Sequence, residues 1–187
     1  MEKRIYLSSP TMHGEEQKFV QEAFDTNWVA PLGPNVTKFE EEMAAYTGSG
    51  YAAALSAGTA AIHLAIKLLG IKQDDVVFVS SLTFSATCNP ICYEKAKPVF
   101  IDSEPDTWNM DPAALERAFA LYPDTKVVIV VNLYGTPAKF DEICAIAQRH
   151  GAMIIEDAAE SLGATYKGRQ TGTFGKYNAI SFNGNKI

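Results

Sequence analysis

The sequence has few cysteines and histidines and no excess of positive charge. Its 187 residues include three of each, and the formal net charge is −6 at pH 7. Cys88, Cys92 and Cys144 form no CxxC pair and no Cys/His cluster with metal-ligand spacing. We therefore expect no metal site and no disulfide framework, but free thiols in the cytoplasm. The negative charge argues against general nucleic-acid binding, which needs clustered lysine and arginine.

Long hydrophobic runs are also absent. The N-terminal MEKRIYLSSP has no apolar core of the kind found in signal peptides, and polar residues and glycine interrupt the most apolar stretch, residues 51–70. We therefore expect neither a signal peptide nor a membrane span. No GxGxxG follows the first strand, and GRQTGTFGK lacks P-loop spacing, so a nucleotide-binding redox domain is disfavoured.

Strand and helix patterns alternate along the chain. Runs such as VVFVS, VVIVV and MIIE are apolar at every position, which is typical of strands buried on both faces of a parallel sheet. The pattern predicts an α/β domain of three layers, a mostly parallel sheet between helices. Predicted helices are 14–26, 35–46, 59–69, 85–93, 111–119 and 138–150; predicted strands are 51–55, 75–80, 98–102, 126–132, 152–156 and 177–182.

Ligands of such sheets bind beyond the carboxyl ends of the strands, so the residues there are the site candidates. Gly58 and Thr59, in SAGTAAIHLA, lead into a helix whose free N–H groups favour an anion, although a plain strand-to-helix turn has the same pattern. Phe84 could stack on a planar ring or belong to the core. Asp157 could pair with a cationic ring nitrogen or cap a helix. Lys186 follows the last strand, where a solvated surface lysine is the simpler reading.

These candidates together form the residue set that binds pyridoxal 5′-phosphate (PLP). The chain as a whole resembles the DegT/DnrJ nucleotide-sugar aminotransferases, which are fold-type-I PLP enzymes. The carrying motifs run through the whole chain: NWVAPLGPNVTKFEEEMA, SAGTAAIHLA, TFSATCNPICYEKAKPVFID, VNLYG, EDAAESLGA and SFNGNK. NWVAPLGP, DSEPDTWNMDP and SFNGNKI are similar to the bacillosamine-type aminotransferases of exopolysaccharide synthesis, which act on a UDP-2-acetamido-2,6-dideoxy-4-ketohexose.

The resemblance implies a role for each matching position. Lys186 would form the Schiff base with the cofactor aldehyde and act as the general base and acid. Relatives that remove the 3-hydroxyl carry histidine there, so lysine favours transamination. Asp157 would pair with the pyridinium nitrogen, and Phe84 would stack on the ring.

The remaining roles concern the edges of the cofactor. Gly58 and Thr59, with Ser181, would hold the phosphate. Glu160 stands where relatives often carry Gln or His near the phenolic oxygen, which would repel a carboxylate unless the carboxylate is protonated or turned away. Asn132 stands where many relatives carry His. Trp28 and Asn183 are assigned to the sugar pocket.

The implied reaction is amino transfer from L-glutamate to the 4-keto carbon of a UDP-linked 6-deoxy-hexosamine. Relatives are roughly twice as long, so residues 1–187 are expected to form an incomplete PLP-binding large domain without the C-terminal small domain. We expect little activity from it alone, and a homodimer or larger assembly. The alternative is a non-catalytic remnant that binds cofactor or a partner chain, which turnover assays distinguish.

Overall fold

The computed structural model describes Arg4, Tyr6 and residues 9–186. Within them the chain forms two compact units. The helical unit comprises the described residues up to Ala54 together with Asn183–Lys186, and the sheet unit comprises Leu55–Phe182. The sequence predicts one incomplete domain over residues 1–187, whereas the described residues form two compact units. The single domain stays a prediction.

The sheet unit is built on five parallel strands. They are β1 (Val76–Ser80), β2 (Lys97–Ile101), β3 (Val127–Val131), β4 (Met153–Asp157) and β7 (Tyr177–Ala179), in the order β2-β1-β3-β4-β7. A short antiparallel hairpin, β5 (Thr165–Tyr166) and β6 (Arg169–Gln170), lies between β4 and β7 in sequence. Because the strands are parallel, their carboxyl ends meet at one edge of the sheet, where ligands of α/β domains bind.

Helices follow the strands in alternation. The helical unit contains α1 (Glu16–Asp25) and α2 (Pro34–Thr47), and the sheet unit contains α3 (Gly58–Leu68), α4 (Asn89–Tyr93), α5 (Pro112–Leu121) and α6 (Phe140–Arg149). Single 3-10 turns occupy Ser85–Thr87 and Leu133–Gly135. Asp111 caps α5 by accepting hydrogen bonds from the N–H groups of Ala113 and Ala114, as its position before Pro112 predicts.

The two faces of the sheet bury separate clusters of apolar side chains. Successive strand residues point to opposite faces, so Phe78, Val128 and Ile154 pack with α5 and α6. Val77, Val79, Val127, Ile129 and Ile155 pack on the other face with α3 and α4. Both faces are covered, which explains the unbroken apolar runs and confirms the predicted three-layer, parallel architecture.

Three element predictions were wrong. Residues 51–55 form no strand among the described residues; Tyr51 is 94% exposed, and the Ala54 N–H donates to Glu40 Oε1 at 2.8 Å. The last strand ends at Ala179 rather than 182, because β4 ends at its partner Asp157. The helix predicted over 85–93 is a 3-10 turn followed by α4, since Pro90 lacks an N–H and fits only a helix's first turn.

Candidate active site

Asp157 is a buried carboxylate at the carboxyl end of a central strand. It is the last residue of β4 and is 6% exposed. Its Oδ2 accepts a hydrogen bond of 2.6 Å from the hydroxyl of Thr87, and its Oδ1 accepts one of 3.2 Å from the N–H of Ala159. A carboxylate has about four lone pairs, so Asp157 can accept hydrogen bonds from several donors at once.

Thr87 is a buried partner of Asp157 that the sequence analysis missed. It is fully buried and also lies 2.6 Å, oxygen to oxygen, from the hydroxyl of Thr83. Because Thr87 spends its only hydroxyl hydrogen on Asp157, Thr83 must be the donor of the second bond. The hydroxyls thus form a directed chain onto the carboxylate. The sequence carries no signal for a pair of residues 70 positions apart.

Phe84 is not a core residue. Its side chain is 73% exposed, and its carbonyl accepts a 3.0 Å hydrogen bond from the Thr87 N–H. The backbone turn that carries the ring is therefore held to the same threonine that contacts Asp157. An exposed aromatic ring on a fixed turn at a strand end can stack on a planar ligand.

The N-terminus of α3 is built as the sequence predicts. Gly58 is its first residue, Ala57 precedes it in extended conformation, and no side chain caps the helix. The first N–H groups of a helix have no partner within it, so they can receive an anion. α3 packs against β4, β7 and the turn at 85–87, and a Cβ at Gly58 would lie 3.8 Å from that of Ser181. The predicted phosphate residues thus lie close together, and Thr59 is the second residue of the helix.

Glu160 lies three residues after Asp157 and is half-buried. Its Oε2 accepts a 2.8 Å hydrogen bond from the N–H of Tyr134, whose backbone is left-handed with φ 51°. The carboxylate is therefore attached to the turn that follows β3.

Asn132 is fully buried in a hydrogen-bond network that includes Glu156, on the opposite face of the sheet from the Asp157 side chain. Its Nδ2 donates to Glu156 Oε1 at 2.8 Å and to Ser161 Oγ at 3.2 Å, and its Oδ1 accepts from the Ala138 N–H at 3.0 Å. Burial raises the pKa of Glu156 against the hydrogen bonds it receives. Asn132 thus connects the end of β3 to β4 through Glu156 and to the segments that carry Ser161 and Ala138.

The helical unit contains the other three predicted site residues. The Lys186 N–H donates to the Asn183 carbonyl at 2.8 Å, and Asn183 Nδ2 donates to Asn185 Oδ1 at 2.6 Å, which closes a turn. Trp28 is 50% exposed and donates its indole N–H to the Leu32 carbonyl at 2.7 Å.

Arg4, Tyr6 and 9–186 contain no group of three or more metal-ligating side chains. No helix in that part of the chain has the length and apolar character needed to cross a membrane.

Comparisons with known proteins place these features in a family. The family model for "DegT/DnrJ/EryC1/StrS aminotransferase family" matches residues 10–187. The "Putative pyridoxal phosphate-dependent aminotransferase EpsN" of Bacillus subtilis (strain 168) is 60% identical over 191 residues, which cover 100% of this chain and 49% of EpsN. The UDP-2-acetamido-2-deoxy-3-oxo-D-glucuronate aminotransferase of Pseudomonas aeruginosa is 40% identical over 81% of this chain and 42% of that protein.

Solved structures have the same fold. Spr1654 of Streptococcus pneumoniae in its PLP form superposes with a TM-score of 0.91 and 28% identity, over 98% of this chain and 50% of that chain. This chain therefore spans about half the length of the relatives it matches. The family match, the identity to EpsN and the shared fold agree, and the chain belongs to the DegT/DnrJ/EryC1/StrS aminotransferase family.

Proposed function

We propose that the protein, whose chain here spans about half the length of its relatives, is an aminotransferase of the bacillosamine type for cell-surface exopolysaccharide biosynthesis. Its reaction transfers an amino group from L-glutamate to the 4-keto carbon of a UDP-linked 6-deoxy-hexosamine. The family's cofactor is PLP. The observation that carries the proposal is the carboxylate of Asp157, 6% exposed at the end of β4 and bonded to Thr87. The name of EpsN supports PLP-dependent amino transfer. The name of the Pseudomonas relative supports a UDP-linked keto sugar, and that name puts the keto group of its own substrate at C3.

The residues of the sheet unit fit this cofactor. When bound, PLP supplies an aldehyde that reacts with amines and a ring that takes up electrons while its nitrogen is protonated. Asp157 holds that proton on the ring nitrogen, because a buried carboxylate is stabilised by a cationic partner. The exposed ring of Phe84 supplies a stacking surface.

The phosphate is assigned to the N-terminus of α3. The N–H groups of Gly58 and Thr59 are directed out of the helix and favour a dianion. Ser181, whose Cβ lies 3.8 Å from the position of a Cβ on Gly58, is assigned as a further ligand of the phosphate. A glycine at the first position lets the backbone approach the phosphate oxygens without a Cβ between them.

Lys186 is assigned the covalent and proton-transfer role. Its amine would hold the cofactor at the aldehyde and, when free, would serve as the general base and acid that moves a proton. Glu160 is assigned to the cofactor's phenolic edge, where its bond to the Tyr134 N–H fixes one carboxylate oxygen. Trp28 and Asn183 remain assigned to the sugar.

The setting of the enzyme is part of the proposal. We assign residues 1–187 to the PLP-binding large domain and expect the remaining half of the relatives' length to supply the small domain. A homodimer in the cytoplasm is proposed. The three free thiols among the described residues support a reducing compartment.

Covalent attachment of PLP tests the assignment of Lys186. Borohydride reduction in the presence of PLP should raise the mass of the intact chain by one cofactor, and Lys186→Ala should abolish the increase. Lys176→Ala is the matched control, because Lys176 is an exposed lysine ten positions earlier. Attachment that survives Lys186→Ala contradicts the assignment.

Turnover tests the reaction itself. A chain with the relatives' full length should convert L-glutamate and a UDP-4-keto-6-deoxy sugar to 2-oxoglutarate and the amino sugar. The 187-residue chain should turn over little. Cofactor binding without turnover in the full-length protein would favour the non-catalytic binding module, and turnover by the 187-residue chain at the full-length rate would refute the need for a second half.

A further inference from the structure

Glu156 is a buried charged side chain that the proposed reaction does not use. It is 0% exposed and lies next to Asp157 in β4, with its side chain on the opposite face of the sheet. Its Oε1 accepts from Asn132 Nδ2 at 2.8 Å and from the Gly172 N–H at 2.7 Å, and its Oε2 accepts from the Phe174 N–H at 2.7 Å. Burying a carboxylate is costly, so three donors directed at one side chain indicate a specific task.

Two of these donors belong to the segment that leads into β7. Gly172 is buried and left-handed, with φ 81°, a conformation that favours glycine. At Gly175 an added Cβ would lie 2.8 Å from the backbone nitrogen of Glu156, so the segment passes directly over β4. Lys176 then donates its N–H to the Ile154 carbonyl at 2.7 Å, where β7 begins to follow β4. The segment 172–176 is thus fixed to β4 before the ladder starts.

The register of β7 determines where Ser181 lies. β7 pairs Tyr177 with Ile155 and Ala179 with Asp157, and only three residues carry the ladder. A slip of one residue would move the chain by about 3.3 Å and turn every side chain to the other face. A three-residue strand has little ladder of its own to resist such a slip. Ser181, whose Cβ now lies 3.8 Å from the position that a Cβ on Gly58 would take, would then move away from Gly58.

We propose that Glu156 is a positioning residue whose carboxylate fixes the register of β7 on β4 and so places Ser181 beside the N-terminus of α3. This inference rests on the proposed function, in which that pair holds the cofactor phosphate. It also gives Asn132 its role, since Asn132 orients the carboxylate from the end of β3.

The test replaces Glu156 with glutamine, which keeps the shape but has one acceptor oxygen. At least one of the Gly172 and Phe174 N–H groups then loses its partner. Glu104→Gln is the matched control. Glu104 is also buried and accepts the N–H groups of Asp106 and Thr107, but it follows β2, at the opposite edge of the sheet from β7.

Two measurements are compared between the variants. Amide hydrogen exchange of Gly172 and Phe174, without cofactor, should be about tenfold faster in Glu156→Gln for at least one of them and unchanged in Glu104→Gln. The ratio of the Kd for pyridoxal to the Kd for PLP isolates the phosphate contribution to binding. We expect this ratio to fall about tenfold in Glu156→Gln and to keep its wild-type value in Glu104→Gln.

An unchanged ratio in Glu156→Gln, or an equal fall in Glu104→Gln, overturns the inference. If the wild-type chain binds PLP no better than pyridoxal, the proposed phosphate site fails, and hydrogen exchange still decides whether Glu156 fixes the segment. If Glu156→Gln does not unfold cooperatively, hydrogen exchange and the ratio of Kd values are measured on Glu156→Asp instead. Wild-type Gly172 and Phe174 amides that exchange as fast as exposed ones would also refute the inference.

Discussion

Replacing Thr87 with valine should weaken the fold at the centre of the candidate site. Valine keeps the shape of threonine but removes the hydroxyl, so the 2.6 Å bond to Asp157 and the 2.6 Å bond from Thr83 are both lost. A hydrogen bond to a charged group contributes about 1.5–3 kcal/mol, and water cannot replace it easily because Asp157 is 6% exposed. Thr83 is half-buried and can turn to water, so its lost bond adds little. We expect a loss of about 2–3 kcal/mol in the free energy of unfolding.

Thr87→Ser separates the hydroxyl from the methyl group. Serine keeps the donor and removes one buried methyl, which costs about 1 kcal/mol. Urea unfolding of the cofactor-free chain should therefore rank the wild type above Thr87→Ser and Thr87→Ser above Thr87→Val. PLP affinity should fall about five- to tenfold in the valine variant and stay within about twofold in the serine variant. Equal losses of stability in the two variants would refute the directed chain of hydroxyls.

Three further predictions concern other parts of the sheet unit. Gly175→Ala should destabilise the chain by about 3 kcal/mol or more in urea unfolding, because its Cβ would lie 2.5 Å from the Tyr177 carbonyl oxygen, whereas Gly50→Ala meets nothing within 4 Å and should be nearly neutral. Burial opposes ionisation of Glu104, but hydrogen bonds from Lys139, Thr107 and the N–H groups of Asp106 and Thr107 lower its pKa from 4.5 to about 2. A depressed pKa stabilises the fold above pH 4.5, so the free energy of unfolding should fall by about 3 kcal/mol as pH falls from about 4.5 towards about 2. Glu104→Gln lacks this carboxyl group. If the free energies of unfolding of the wild type and Glu104→Gln differ by the same amount at pH 6 and at pH 3, the prediction is wrong. Phe84→Ala should raise the Kd for PLP about two- to tenfold and leave the cofactor-free stability within about 0.5 kcal/mol, since the ring is 73% exposed; a large loss of stability would make Phe84 a packing residue.

The elements with the strongest periodicity were predictable from the sequence. β1, β3 and β4 read as unbroken apolar runs, and they lie within about one residue of the predicted bounds because only a strand covered on both faces tolerates such composition. The strand at 51–55 failed for the opposite reason. Its residues are apolar, but a strand exists only with a neighbour, and apolar composition does not say whether a neighbour is present.

The position of a candidate site residue was predictable where it follows from the start of a helix or the end of a strand. Gly58 at a helix start and Asp157 at a strand end both follow from the pattern. Thr87 and Glu156 do not, since their partners lie 70 and 16 to 24 positions away and only the folded chain brings them together. Buried hydrogen-bond networks are therefore the part of this site that needed a structure.

The strand order has a consequence for how the chain is made. In the order β2-β1-β3-β4-β7, every strand after β1 pairs with one synthesised before it. A chain that emerges at about 5–20 residues per second can thus add each strand to an existing edge as it leaves the ribosome. Gly58 and Ser181 are 123 positions apart, so the helix start waits roughly 6–25 seconds for its serine. The proposed seat for the cofactor phosphate is therefore complete only after all five strands of the sheet have been synthesised.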